Sequence, residues 1–97
     1  MRFRFASSKL RILYETGTGR FPPDVVRGFF RVMSIIAEAA DERDLYAFNG
    51  LRYEKLKGDR VGQHSLRLND QWRLILRPVS DVDGRVMLVV EIVDYHQ

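Results

Sequence analysis

The stretch Arg85–Val93 constrains this chain more than any other. Val86, Met87, Leu88, Val89, Val90, Ile92 and Val93 leave Glu91 as its only polar residue after Arg85. As a strand it is apolar on both faces, so it belongs in the middle of a sheet or under other cover. The rest of the chain must provide that cover.

The preceding segments read as its sheet neighbours. Gln71–Arg77 alternates, with Trp72, Leu74 and Leu76 on one face and Arg73, Ile75 and Arg77 on the other. Gln63–Asn69 does the same, Leu66 and Leu68 against Arg67. Asn69-Asp70 and Asp81–Gly84 are turns. Asn49-Gly50 is a turn signal, Leu51–Lys57 a candidate strand, Gly58-Asp59-Arg60 a loop, and Arg2–Phe5 an edge strand.

The first half reads helical. Ser7 or Ser8 can cap a helix running to about Glu15, before Thr16-Gly17-Thr18-Gly19 breaks the chain. A second helix starts near Pro22-Pro23-Asp24, where proline and an acid suit a first turn. Val25, Phe29, Val32, Met33, Ile36 and Ala40 form its apolar stripe. Gly28 inside it costs about 1 kcal/mol relative to alanine, which a close approach by another element would explain. Asp41-Glu42-Arg43-Asp44 ends the helical half. The fold class is therefore α+β: two N-terminal helices on one face of a mainly antiparallel, hairpin-connected sheet. The arginines of the Gln63–Arg77 hairpin converge on the face the helices leave uncovered.

Composition narrows the function. The 97 residues suffice for one domain, 1–97, and 45% apolar content supports a packed core. No apolar stretch approaches the ~20 residues of a membrane span, and the N-terminus lacks the apolar core of a signal peptide. With no cysteine, two histidines and no HxxxH or HExxH spacing, neither a metal site nor a cofactor is expected. The net charge is +3 and the pI about 9.6. Its distribution says more: Arg52, Lys55, Lys57, Arg60, Arg67, Arg73 and Arg77 face only Glu54, Asp59 and Asp70 in residues 51–80. A polyanion is the natural partner of such a segment, although it also serves as a solvated basic surface.

Three groups of residues could carry chemistry. Asp94-Tyr95-His96 follows the apolar strand. His96 can transfer a proton near neutral pH, Asp94 can orient it, and Tyr95 can donate a hydrogen bond or stack on a base. Glu54, Lys55, Lys57 and Arg60 can bind a phosphodiester and offset its developing charge, with Glu54 as a base. Alternation sets Glu54 apart from Lys55 and Lys57 unless a bulge intervenes. Arg73, with its forked guanidinium, suits phosphate, and Arg67 shares its face. Each group also has a plain structural reading: a polar chain end, a solvated strand and turn, surface ion pairs. Trp72 reads as core, and His64 as structural or RNA-facing, the former favoured. Together they supply the base, the acid and the cations of metal-free RNA cleavage, and no competing nucleophile triad, nucleotide loop or acidic metal cluster occurs.

Leu56-Lys57-Gly58-Asp59-Arg60, Gly62-Gln63-His64-Ser65, Arg67-Leu68-Asn69-Asp70-Gln71-Trp72-Arg73 and the ending Val90-Glu91-Ile92-Val93-Asp94-Tyr95-His96 resemble, in order and spacing, the HigB-type toxins of the RelE/ParE superfamily. The resemblance covers nearly the whole chain. It implies a RelE-like fold, a cytoplasmic type II toxin, and mRNA cleavage on the translating ribosome that inhibits translation. It also implies neutralisation by a HigA-like helix-turn-helix antitoxin, through which the complex binds operator DNA. It puts Asp94, Tyr95 and His96 in the active site with Lys57 and Arg73 nearby. One member type has histidine where this chain has Glu54, so the general base is either Glu54 or His96 acting with Tyr95. The alternative within the superfamily is a ParE-like toxin that inhibits DNA gyrase without cleaving anything.

Overall fold

The structure, a computed structural model, describes residues 1–95. Five strands form one sheet in the order β1-β5-β4-β3-β2. They are β1 (Phe3–Phe5), β2 (Glu54–Lys55), β3 (His64–Arg67), β4 (Trp72–Asp81) and β5 (Gly84–Asp94). The apolar β5 lies inside the sheet, between parallel β1 and antiparallel β4, the central placement its sequence predicts. A bulge sets Ile75 opposite Glu91 but Leu76 opposite Val89, leaving Val90 as the extra residue. It resets the alternation, so Val89 and Ile92, three residues apart, both pack into the helix-side core.

Three helices cover one face: α1 (Ser8–Thr16), α2 (Pro23–Glu38) and α3 (Glu42–Ala47). Ser7 caps α1 by accepting from Leu10 N, and Gly17 ends it at φ 75°, a left-handed conformation that glycine adopts freely. Helix α2 buries Val25, Phe29, Val32, Met33 and Ile36 against Leu66, Leu74, Leu76, Met87 and Val89 of the sheet. Its stripe ends on Ala39, not Ala40, because the helix stops at Glu38 and helical spacing no longer applies. The N-terminal ammonium donates to the carbonyls of Ile36, Ala37 and Ala39 at the end of α2, where a helix leaves acceptors short of partners. Gly28 faces the backbone of Leu68: a Cβ there would lie 2.4 Å from the Leu68 carbonyl oxygen.

The other departures have local causes. Asp41-Glu42-Arg43-Asp44 starts a third helix instead of ending the helical half, because Asp41 Oδ1 accepts from Arg43 N as an N-cap and Leu45 is buried. Leu51–Lys57 is a strand only at Glu54–Lys55. Leu51 and Tyr53 are both buried, and the chain delivers them through a 3₁₀ turn at Asn49–Leu51 and a left-handed Arg52 at φ 50°. Strand β4 continues past Arg77 through Pro78 to Asp81. Its pairing with β3 ends at Leu76, so Pro78 lies where β4 has a neighbour on one side only and a missing N–H is tolerated. Among the described residues no helix is long and apolar enough to cross a membrane.

Candidate functional site

The register assembles the face opposite the helices. Glu54, Ser65, Ile75 and Glu91 form one row across β2, β3, β4 and β5, and Arg67, Arg73 and Val93 form another two residues along. Side chains alternate along each strand. Leu66 and Leu74, between the rows, point into the core, so both rows point away from it. Glu54 pairs with Ser65, which makes Arg67 its diagonal neighbour at roughly 7 Å.

Arg67 and Arg73 are direct cross-strand partners, a placement in which like charges repel. Arg67 is partly neutralised by its own turn, through Asp70 and the carbonyl of Asn69. Arg73 lies with Cζ 5.9 Å from the centroid of the Tyr95 ring. Its Nη1 is buried and has no hydrogen-bond partner among the described residues. A guanidinium so held has a donor to spare for an anion. Arg60 reaches this face from a 3₁₀ turn at Gly58–Arg60, donating from Nη1 to Gln63 Oε1 at 2.9 Å and from Nη2 to Glu91 Oε1 at 3.3 Å.

Gln71 fixes the end of β5. Its Nε2 donates to Asp94 Oδ1 at 2.7 Å, and its carbonyl accepts from Tyr95 N at 2.8 Å. Gln71 is itself held by Asn69, whose Oδ1 accepts from the backbone N–H groups of Gln71 and Trp72. Asp94 pairs with Trp72, so the register turns its side chain to the side of Trp72, away from the arginine face. Trp72 packs against the core and meets Phe21 edge-on, as expected. His96 lies outside the described residues.

Glu54, Arg60, Arg67, Arg73 and Tyr95 thus share one face; Asp94, opposite Trp72, does not join them but is tied to its edge through Gln71. Lys55 does not join them. The β2–β3 pairing is regular and sets Lys55 opposite His64, on the helix side. Lys57 is exposed and begins the 3₁₀ turn beyond β2. Sequence reasoning missed a second cluster on the helix side. There Glu42 Oε2 accepts from Tyr53 OH at 2.9 Å and Glu42 Oε1 from Arg85 Nη2 at 2.6 Å. His64 is buried and stacks on Tyr53, centroids 4.7 Å apart and 9° from parallel. Burial pushes its pKa down, more than Glu42 raises it. Burial and the Glu42 carboxylate likewise push the Tyr53 hydroxyl far up, so it stays a donor. These residues come from separate elements, and no spacing in the sequence links them.

Comparison with known proteins identifies the family and the fold. The curated Toxin HigB-1 of Vibrio cholerae is 33% identical over 84 residues, 84% of this chain and 88% of that protein. Three solved structures share the fold at lower identity. A YoeB/ParE toxin from Agrobacterium tumefaciens covers 100% of both chains at 19% identity and a TM-score of 0.59. YafQ from Escherichia coli strain BL21(DE3) covers 97% of this chain and 93% of its own at 9% identity and 0.60. A YoeB–YefM complex from Staphylococcus aureus covers 100% of both chains at 19% identity and 0.57. A family model described as the RelE-like toxin of the type II toxin–antitoxin system HigB matches residues 3–96. The chain therefore belongs to the HigB-like family of type II toxins.

Proposed function

We propose that this toxin is a ribosome-dependent mRNA endoribonuclease that inhibits translation by cleaving without a metal ion. The observation that carries the reading is Arg73. Its guanidinium is held against Tyr95, opposite Arg67, with a buried donor atom unpartnered among the described residues. A phosphodiester drawn to the guanidinium relieves the repulsion between the two arginines.

The chemistry is acid–base. A base takes the proton of a ribose 2′-hydroxyl, the oxygen attacks phosphorus, and the P–O5′ bond breaks as an acid protonates the leaving oxygen. Arg73 and Lys57 stabilise the charge that develops on the phosphorane oxygens. Glu54 or His96 is the base, Tyr95 assists, and Asp94, tied to Gln71, orients the chain end. Arg60, Arg67 and Lys55 hold RNA on either side. The ParE-like reading is not favoured, since the family match is to HigB and a gyrase inhibitor has no use for this constellation.

A type II toxin has an antitoxin partner. Here it is a HigA-like helix-turn-helix protein, through which the complex binds operator DNA. The single domain acts in the cytoplasm, where ribosomes are. The test is primer extension on cellular mRNA after induction of the toxin alone. Discrete new 5′ ends within translated codons, absent when the antitoxin is co-expressed, are the expected result. Intact mRNA together with impaired supercoiling would instead support gyrase inhibition.

A further inference from the structure

Across the edge strand from Glu54, on the helix side of the sheet, lies a cleft of about 420 Å³. His64 contributes to its floor, and Tyr46, Lys55 and Arg43 stand around it. Tyr46 is 48% exposed and is braced edge-on by Tyr53 at 4.8 Å. Both oxygens of Glu42 are engaged, by Tyr53 and Arg85. His64 Nε2 is 3.8 Å from Glu42 Oε2, beyond hydrogen-bond range. The histidine is only 7% exposed, and neither ring nitrogen has a partner among the described residues. A buried polar group left unpaired costs stability, so each one calls for a functional or structural reason.

We propose that this cleft is a nucleotide subsite for single-stranded RNA, holding the nucleotide next to the scissile one, with the base on Tyr46 and the phosphate on Lys55. The inference rests on the RNA-cleaving reading above. Glu54 and Lys55 are successive residues of the last strand in the sheet and point to opposite faces. An RNA strand on the arginine face therefore reaches the cleft by crossing that edge, with no further strand in its way. An exposed aromatic ring beside cations is the recognition pattern of single-stranded nucleic acid. A neutral imidazole presents one donor and one acceptor, which suits the edge of a base once the Glu42 side chain shifts. An acidic peptide would use the cations and leave Tyr46 bare.

The test is calorimetric titration of the full chain with the four ribonucleoside 5′-monophosphates and with inorganic phosphate, following the His64 Cε1–H resonance by NMR. At least one mononucleotide is expected to bind and to shift that resonance. Tyr46→Ala should weaken binding roughly 5- to 150-fold, the range of base–aromatic stacking. Tyr46→Phe should retain it, and Lys55→Ala should weaken it. Nucleotides that leave His64 unmoved, or that bind no better than phosphate and regardless of Tyr46→Ala, would overturn the proposal. Ribosomal cleavage assays separate the two readings. Wild-type cleavage sites and rate in the Tyr46→Ala/Lys55→Ala double variant would sink the subsite and leave RNA cleavage standing. A wild-type protein that cleaves no mRNA would remove both.

Discussion

Replacing Gly28 by alanine adds one methyl group where α2 meets the backbone of Leu68. The new Cβ would lie 2.4 Å from the Leu68 carbonyl oxygen, 3.1 Å from its carbon and 3.3 Å from its Cα. None of these atoms can rotate away, so the helix must retreat by roughly 1 Å to restore an ordinary contact, and a gap of that size forfeits a quarter to a half of each neighbouring contact. Overpacking of this kind costs about 1–3 kcal/mol, and the rigid backbone on both sides puts this case in the upper half. Alanine returns about 1 kcal/mol through helix propensity. The net loss is about 1–2 kcal/mol, or roughly 5–15 °C in Tm for a domain of this size. Function should suffer with it. The retreat pulls Asp24 of α2 from Asn69 Nδ2, now 2.7 Å away, and Asn69 holds the backbone of Gln71, which positions Asp94 and Tyr95. Urea unfolding of wild type, Gly28→Ala and Gly50→Ala is the assay. Gly50 has nothing within 4 Å of its added Cβ, so its variant should match or exceed wild type. A Gly28→Ala protein as stable as wild type would refute the close-approach argument.

Acid should weaken the fold in a defined window. The pKa of His64 is lowered by burial, so the unfolded chain binds its proton more readily; the stability is present above about 6.5 and is lost as pH falls from there towards the folded value. His64→Phe, which can keep the stack on Tyr53, should flatten stability between pH 6.5 and 5 (the interval in which an ordinary histidine titrates, near ~6.5), and an unflattened curve in urea titrations would assign the loss elsewhere. Charge reversal at Lys57 and Arg73 should weaken RNA binding and lower the log–log salt slope by roughly 0.7 per lost phosphate contact; an unchanged slope, measured by fluorescence anisotropy, would move the binding surface to Arg27 and Arg31 of α2. His96→Ala should reduce mRNA cleavage by about 10²–10⁴-fold, the usual contribution of a positioned acid–base group, and abolish growth arrest while leaving the urea midpoint unchanged; near wild-type cleavage would shift proton transfer to Glu54 and Tyr95.

Where periodicity decides, the sequence sufficed. Seven apolar residues in Arg85–Val93 demanded a covered strand, and β5 is flanked on both sides. The alternation of Gln63–Arg77 put Arg67 and Arg73 on one face and their leucines on the other, because a strand has no other way to arrange them. The helical stripe of α2 as far as Ile36 and a serine cap at Ser7 or Ser8 were legible for the same reason: both are set within a few residues of chain. Tertiary structure decided what depends on distant partners. Only the sheet could require the bulge at Val90, which turns Val89 and Ile92 to the same side. Only burial of Leu45, Leu51 and Tyr53 could make a third helix and a two-residue β2 out of a stretch that reads as turn and strand. Lys55 parted from Arg67 and Arg73 because β2 pairs regularly with β3. Gly28 is explained by the carbonyl oxygen of Leu68, forty residues away, and the cleft at His64 by Glu42, Tyr53 and Arg85 arriving from three separate segments. Such contacts leave no periodic trace, since they are fixed by packing across elements and not along one.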